Sequence, residues 1–344
     1  MEVGLKSQRL AASASPRAHA SIEDDETTCD AFFDGRLSLR QPKRGLRAGM
    51  DALLLAASVP TPRGCHSAKA DGPTVLDLGT GCGIAALAVA TRIPSARVLG
   101  VELIPALTAL ARRNAQANAV ADRATFIVGE ISAAPAAWET DLSALCGWFD
   151  RPGRGGHVDH VIANPPYHAH GTARPSPDPL RAAATVLGPA GLDPWAACAA
   201  RWLKPGGRLT LVNRAAALPA MLAALTPRFG SFIIAPVHTR LRGASPDTRR
   251  DTGTVRDQSS HQDLEPGQHT GLRVRSNTDT DSSARENAAA GLPGGAAELI
   301  LVRATLGGAA PLRLLAGISA HTTDGAASPV LTGIARHAAA LSLE

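Results

Sequence analysis

Short apolar runs alternate with amphipathic stretches over most of the chain. Short continuous runs of apolar residues are typical of buried strands, and apolar positions spaced three and four apart are typical of helices. Their alternation predicts an α/β fold with a mostly parallel seven-stranded sheet and helices on both faces. Strands are predicted over 36–40, 74–78, 97–101, 124–128, 158–163, 208–213, 231–237 and 298–304, and helices over 50–58, 84–91, 105–117, 194–202 and 329–341.

Composition divides the chain into four parts. Two of them are polar and offer too little apolar surface to offset the entropy of ordering. The later of these two contains no aromatic residue and is rich in Ser, Thr, Asp, Gly, Arg and Gln. The parts are a disordered tail (1–30), an N-terminal cap segment and linker (31–72), the main domain (73–237 with 298–344) and a low-complexity disordered insertion (238–297).

Composition and charge exclude several classes of protein. The 344 residues are 44% hydrophobic, yet no apolar stretch is long enough to cross a membrane and none follows the first basic residues as in a secretion signal. The five cysteines are scattered without a C-x-x-C pair, which argues against a zinc site and fits a reducing cytoplasm. A net charge of +5 is compatible with an RNA partner. The oligomeric state is not encoded in any pattern, and a monomer is assumed.

A glycine-rich loop follows the strand predicted over 74–78. Glycines let the backbone approach a ligand that a Cβ would block, and no Gly-Lys-Ser/Thr follows, which excludes a P-loop. A carboxylate about 20 residues later can accept hydrogen bonds from both ribose hydroxyls of a nucleotide cofactor. A plain NAD-type Rossmann domain or a structural glycine turn would show the same loop. The candidate cofactor residues are Asp77, Gly79, Gly81, Gly83, Glu102 and Glu130, the last facing an adenine edge.

The four residues Asn164-Pro165-Pro166-Tyr167 follow the strand predicted over 158–163, and Tyr167 is the one tyrosine of the chain. An amide oxygen, a backbone carbonyl and an aromatic face at a strand end suit a planar group that carries an NH2. A rigid strand-exit turn is the structural alternative. His168 and His170 have no carboxylate or cysteine beside them, so no metal is expected.

Together these features resemble the Rossmann-like class I methyltransferases that use S-adenosylmethionine, in particular the amino-methyltransferases of the N6-adenine type. The stretch Gly49-Met50-Asp51-Ala52-Leu53-Leu54 resembles the entry region of the tRNA1(Val) (adenine-37) N6-methyltransferase family. The resemblance implies S-adenosylmethionine as cofactor without a metal, and methylation of an RNA adenine, with a tRNA anticodon-loop adenine as target. It implies catalytic roles for Asn164 to Tyr167 and a site-lining role for Asp51.

A basic run near the N-terminus is the expected contact for RNA phosphates. Only Asp34 opposes it locally, although a solvated basic face is an equally good explanation. Two of its members are substrate-site candidates, Arg44 and Arg47. The run comprises Arg36, Arg40, Lys43, Arg44 and Arg47.

Other functions remain open. Release-factor glutamine methyltransferases also carry Asn-Pro-Pro-Tyr, because a glutamine amide is likewise a planar NH2, but they have a longer helical N-terminal domain. DNA adenine and guanine N2 are further possible acceptors. A non-catalytic S-adenosylmethionine-binding protein would require neither Asn164 nor Tyr167.

Overall fold

The computed structural model describes residues 22–43, 47, 49–61, 72–132, 138, 158–167, 187–239, 297–322 and 326–343. The described residues form an N-terminal hairpin and one α/β unit. The strands are β1 (Thr27–Phe32), β2 (Leu37–Pro42), β3 (Thr74–Leu78), β4 (Arg97–Glu102), β5 (Ala124–Val128), β6 (Val158–Ala163), β7 (Leu203–Arg214), β8 (Phe229–His238), β9 (Leu299–Leu306), β10 (Arg313–Leu314) and β11 (Ile318–Ser319). The α-helices are α1 (Met50–Ala57), α2 (Ile84–Arg92), α3 (Pro105–Ala117), α4 (Asp193–Trp202), α5 (Leu218–Leu225) and α6 (Pro329–His337).

Seven strands form the body of the sheet in the order β8-β9-β7-β6-β3-β4-β5. β9 pairs antiparallel with both β7 and β8, and the remaining neighbours in this row are parallel. The two-residue strands β10 and β11 add to the sheet by pairing with β8. The predicted fold class is confirmed, with these two short strands as an addition.

The alternation of side chains along each strand divides the core into two layers. On β3, Val75 packs with α1, α2 and α3, while Leu76 and Leu78 pack on the opposite face against α4. On β6, Ile162 faces the first layer and Val161 the second. Both faces of the central strands are buried, which is why their sequences are continuous apolar runs.

The chain order places a site at one edge of this sheet. β3, β4, β6 and β7 are parallel, so their carboxyl ends meet there, beside the point between β3 and β6 where the strand order reverses. In such sheets ligands bind in this crevice.

The folded chain begins earlier than the predicted boundary at residue 31. A 3₁₀ turn over Asp24–Glu26 and all of β1 belong to the hairpin, so the predicted disordered tail is wrong for residues 22–30. Amide side chains of α3 hold this hairpin against the main domain: Asn118 Oδ1 accepts from the Ser38 amide at 2.8 Å, and Asn114 Oδ1 from the Arg40 amide at 2.9 Å. Residues 1–21, most of the predicted linker and most of the predicted insertion (240–296) lie outside the described residues.

Candidate functional site

The glycine loop between β3 and α2 forms the candidate cofactor-binding half of the site. Gly79 has a φ of +67° and Gly81 of +59°, a backbone region that other residues enter at a cost. A Cβ on Gly79 would stand 2.8 Å from Trp195, whereas one on Gly81 would meet nothing within 4 Å. Gly81 therefore borders open space at the edge of the sheet. Gly83, whose φ is +92°, precedes α2 and closes the loop.

Asp77 lies beneath this loop. Thr80 Oγ1 donates to its Oδ2 at 2.6 Å, and the side chain is only 2% exposed. Burial raises the pKa of Asp77 to about 7, against the opposing effects of the Thr80 hydroxyl and the Ala86 amide. Through its hydrogen bond from Thr80 the carboxyl shapes the loop, and as a carboxylate it would attract the positively charged end of a cofactor.

Glu102 ends β4 and is bound to the same loop. Its Oε2 accepts from the Gly81 amide at 2.9 Å, and its Oε1 accepts from the Ile104 amide at 3.0 Å. Burial raises the pKa of Glu102, and these amides oppose that effect. A carboxylate has about four lone-pair positions, so room remains for ribose hydroxyls. The arrangement fits the nucleoside part of a cofactor.

The segment after β5 lies beside the end of β4, because the Gly129 amide donates to the Glu102 carbonyl at 2.9 Å. The predicted adenine contact, Glu130, is exposed, and its Oε1 accepts from Ser132 Oγ at 2.6 Å. Its backbone carbonyl accepts from Trp138 Nε1 at 3.1 Å. Leu103, which the sequence reasoning missed, is 48% exposed directly after Glu102. An apolar residue following a strand-end carboxylate was the available signal, and its exposed surface suits a flat base.

Asn164, Tyr167 and Asp51 form the second half of the site. Asn164 Nδ2 donates to Asp51 Oδ2 at 3.0 Å, and the Tyr167 hydroxyl donates to the same oxygen at 2.7 Å. Asp51 lies in the first turn of α1, where its Oδ1 accepts from the Ala52 amide at 2.9 Å. Asn164 Oδ1 is buried and has no hydrogen-bond partner in the described part of the chain. The structure thus joins three sequence-predicted residues around one unpaired acceptor atom.

Two prolines and an arginine complete this slot. Pro165 is buried and Pro166 is half-buried, which makes the exit from β6 rigid. The Arg214 guanidinium at the end of β7 lies over the Tyr167 ring, 5.8 Å from its centroid. Burial, and next the Asp51 charge, raise the pKa of Tyr167, so its hydroxyl keeps its proton and donates. Sequence reasoning missed Arg214, since no local pattern links it to Tyr167.

More carboxylates oppose the basic run than its local sequence shows. Arg47 pairs with Asp30 at 2.8 Å, and its other nitrogen donates to Thr28. Asp24, from the segment predicted to be disordered, faces both Arg113 and Arg40. The expectation that only Asp34 opposes the run is therefore wrong.

Some candidates cannot be placed. Arg44, His168 and His170 lie outside the described residues. Within the described ranges, no three His, Cys, Asp or Glu side chains are grouped so as to hold a metal ion. In the same part of the chain, no helix has the length and apolarity needed to cross a membrane.

Comparison with known proteins finds methyltransferases, and the chain spans less than two thirds of the length of the curated relatives that it matches. Residues 75–151 match the family model of a methyltransferase domain. The chain is 31% identical over 184 residues to a tRNA1(Val) (adenine(37)-N6)-methyltransferase from Porphyromonas gingivalis, a match that covers 54% of this chain and 65% of that relative. It is 34% identical over 136 residues to a release factor glutamine methyltransferase from Chlorobaculum tepidum, with 40% of this chain and 39% of the relative covered.

A solved structure gives independent support for the fold. It is titled as a predicted O-methyltransferase from Agrobacterium tumefaciens, and it superposes with a TM-score of 0.53 at 23% identity. The match covers 85% of this chain and 98% of that one.

Proposed function

We propose that the chain, as a class I S-adenosylmethionine-dependent methyltransferase, methylates the exocyclic N6 amine of an adenine in RNA. The proposed target is an adenine in a tRNA anticodon loop, acted on in the cytoplasm. A loop base can be splayed into a slot with little unstacking. The relative from Porphyromonas gingivalis, whose name states this reaction, supports the proposal, as does the net charge of +5.

The orientation of the Asn164 amide carries the proposal. A carboxylate oxygen accepts hydrogen bonds, so the Asn164 atom that meets Asp51 Oδ2 at 3.0 Å is the NH2 group. The carbonyl oxygen of the same amide is then the atom left without a partner among the described residues. A buried acceptor of this kind requires a donor, because an unmade hydrogen bond costs about 1–3 kcal/mol. An amino group of the substrate is that donor.

The residues of the chain position the amine for attack. Asn164 Oδ1 and the Pro165 carbonyl accept its two hydrogens, which favours a pyramidal nitrogen with its lone pair directed out of the ring system. The cofactor supplies a methyl group that is already activated on a positively charged sulfur. Alignment by the slot therefore provides most of the rate acceleration, and no base must act before the methyl group moves. The Tyr167 ring offers a face for the base, a contact worth roughly 1–3 kcal/mol.

Glutamine N5-methylation of a release factor is the second candidate. The amide of glutamine is also a planar NH2 and would meet Asn164 in the same way. The relative from Chlorobaculum tepidum, named for that reaction, favours this reading.

A direct assay separates the two candidates. The full chain is incubated with isotopically labelled S-adenosylmethionine and either bulk bacterial tRNA or purified release factor. Nucleosides and peptides are then analysed by mass spectrometry. The proposal predicts labelled N6-methyladenosine in tRNA and an unlabelled release factor.

The reverse labelling pattern would replace the proposal with the glutamine reaction. Binding of S-adenosylmethionine without label in either acceptor would favour a non-catalytic binding protein. Asn164→Ala serves as the control, because it should abolish labelling of the true acceptor.

A further inference from the structure

We infer that Arg214 binds a phosphate of the acceptor nucleotide, beside the base that Asn164 holds. This inference rests on the proposed RNA substrate and deepens it. Arg214 is the last residue of β7, and β6 pairs with β7 as far as Ala163 opposite Leu211. β7 therefore continues three residues past that pair, alongside the turn that begins at Asn164. Arg214 stands at the rim of the slot.

The exposure and the contacts of the Arg214 side chain are those of a cation that is available to bind an anion. It is exposed, and among the described residues it has no carboxylate partner. Its guanidinium rests over the Tyr167 ring at 5.8 Å from the centroid. That ring is fixed in turn by the bond of its hydroxyl to Asp51 at 2.7 Å. The ring thus supports the cation and keeps it at the rim.

The chemistry of the guanidinium selects a phosphate. Arginine presents a planar fork of donors that matches two phosphate oxygens, and phosphate contacts fix the register of a nucleic acid on a protein. A nucleotide whose base lies in the slot has its own phosphates one ribose away, at the rim. Arg47, which was expected to serve RNA, is already paired with Asp30 at 2.8 Å. A glutamine acceptor would bring no phosphate to this position.

The same strand offers a matched control. Arg208 lies in the middle of β7, opposite His160 near the start of β6 and six positions before Arg214, so the two arginines are about 20 Å apart. Its guanidinium has no hydrogen bond or ion pair in the described part of the chain, and it is half-buried. Arg208→Ala removes the same charge from a position on the same strand that is remote from the slot. It therefore separates a local phosphate contact from a general loss of positive charge.

The test measures steady-state kinetics with tRNA for the wild type, Arg214→Ala, Arg214→Lys and Arg208→Ala, at several salt concentrations. Loss of one phosphate contact should lower kcat/KM for tRNA about tenfold, mainly through KM, and should reduce the slope of log(kcat/KM) against log[salt] by about 0.7–1. Arg214→Lys should retain the wild-type slope with a KM raised a few-fold, because it keeps the charge and loses the fork. Arg208→Ala and the dissociation constant of S-adenosylmethionine should stay within about twofold of wild type.

Two results would overturn the inference while the proposed function survives. One is an Arg214→Ala enzyme whose salt slope equals that of Arg208→Ala. The other is a lower kcat with unchanged KM and slope, which would show that Arg214 only supports the Tyr167 ring. A wild-type enzyme that methylates release factor and no RNA would instead contradict the proposed function, and the phosphate contact with it.

Discussion

The cofactor half and the acceptor half of the site differ in whether their buried polar atoms have hydrogen-bond partners. At the glycine loop, the Asp77 carboxyl accepts a hydrogen bond from the Thr80 hydroxyl, and the Glu102 carboxyl accepts hydrogen bonds from the amides of Gly81 and Ile104. At the slot, Asp51 accepts from two side chains, but Asn164 Oδ1 is left without a partner among the described residues. The first half is built as a complete hydrogen-bonded frame. Under the proposed function, the second half becomes complete when an amino group of the substrate donates to Asn164 Oδ1.

This difference separates two kinds of pre-organisation. A satisfied network rigidifies a loop and holds its glycines at the distance that a ligand requires. An unsatisfied buried acceptor costs about 1–3 kcal/mol in the free protein, and the correct substrate regains it. Mutations in the two halves should therefore affect different steps, with the cofactor half changing binding of S-adenosylmethionine and the slot changing the methyl transfer.

The largest effect is expected for Asn164→Ala. Loss of the acceptor atom should lower kcat by about 10²–10³, a magnitude typical of removing one positioned polar group from a reacting centre. The dissociation constant of S-adenosylmethionine should remain within about twofold, measured by calorimetry. Removal of the unpaired oxygen offsets loss of the hydrogen bond from Nδ2 to Asp51, so the free energy of unfolding should change by less than about 1 kcal/mol. If Asn164→Ala weakened binding of S-adenosylmethionine as much as it lowered kcat, the proposed difference between the two halves would be contradicted.

Asn118→Ala is the control for that variant. Asn118 bonds the Ser38 backbone at the hairpin, far along the chain from the slot. Its removal should lower the free energy of unfolding by about 1–2 kcal/mol with kcat nearly unchanged.

Asp51→Ala should have the next largest effect. Without its carboxylate the Asn164 amide can rotate, and the Tyr167 hydroxyl loses its acceptor. Misplacement of the slot should lower kcat roughly 10²-fold at saturating tRNA, with the cofactor dissociation constant unchanged. Asp30→Ala, which removes a carboxylate from the hairpin, should leave kcat within twofold of wild type. If both variants behaved alike, Asp51 would have only a structural role.

Gly81→Ala examines the cofactor half. A Cβ at this position would point into open space and would meet a ligand there, so S-adenosylmethionine should bind roughly tenfold more weakly. The residue would also be strained at a φ of +59°, at about 1–2 kcal/mol of stability. Gly206→Ala has similar strain at +74° with equally open surroundings, and it should cost stability alone. Equal cofactor affinity in the two variants would remove Gly81 from the site.

The smallest effect concerns pH. Burial raises the pKa of Asp77 to about 7, so in the free protein its carboxyl is largely protonated at pH 6 and ionised at pH 8. The ionised form attracts the positive charges of the cofactor, so affinity should rise roughly three- to tenfold over this range, with release of protons near pH 7. Asp77→Asn should remove this pH dependence in calorimetric titrations. A wild-type affinity that is flat between pH 6 and 8 would contradict the placement of Asp77 beneath the cofactor.

The same shift has a consequence for stability. The folded protein holds the Asp77 proton up to about pH 7, whereas the unfolded chain loses it near its ordinary pKa of 3.8. The folded state therefore binds more protons between these values, and the contribution of Asp77 to stability falls as the pH rises from about 4 to 7.

The pattern of apolar residues was sufficient to predict the central sheet. β3, α3, β5 and β6 have the predicted bounds, because each is a buried run or a strongly periodic helix. α5 was missed, since its Ala- and Leu-rich sequence carries little periodicity. β1 was missed because its polar sequence depends on pairing with β2 for its order.

At the site, local sequence patterns could not predict the contacts between residues that are distant along the chain. The residues at strand ends could be named from local patterns, and the structure brings them to one edge. The hydrogen bond between Asp51 and Asn164 spans 113 residues, and the contact of Arg214 with Tyr167 joins the end of β7 to the turn after β6. Likewise, the neutralisation of the basic run by Asp24 depends on a hairpin that local composition does not reveal. These are consequences of tertiary packing.

The most direct test of the central claim compares modified nucleosides of tRNA from cells that lack the gene, cells complemented with the wild type and cells complemented with Asn164→Ala. The account predicts that N6-methyladenosine disappears from one tRNA without the gene, returns with the wild type and stays absent with Asn164→Ala. An unchanged level of N6-methyladenosine in all three strains, together with a loss of glutamine methylation in protein, would contradict it.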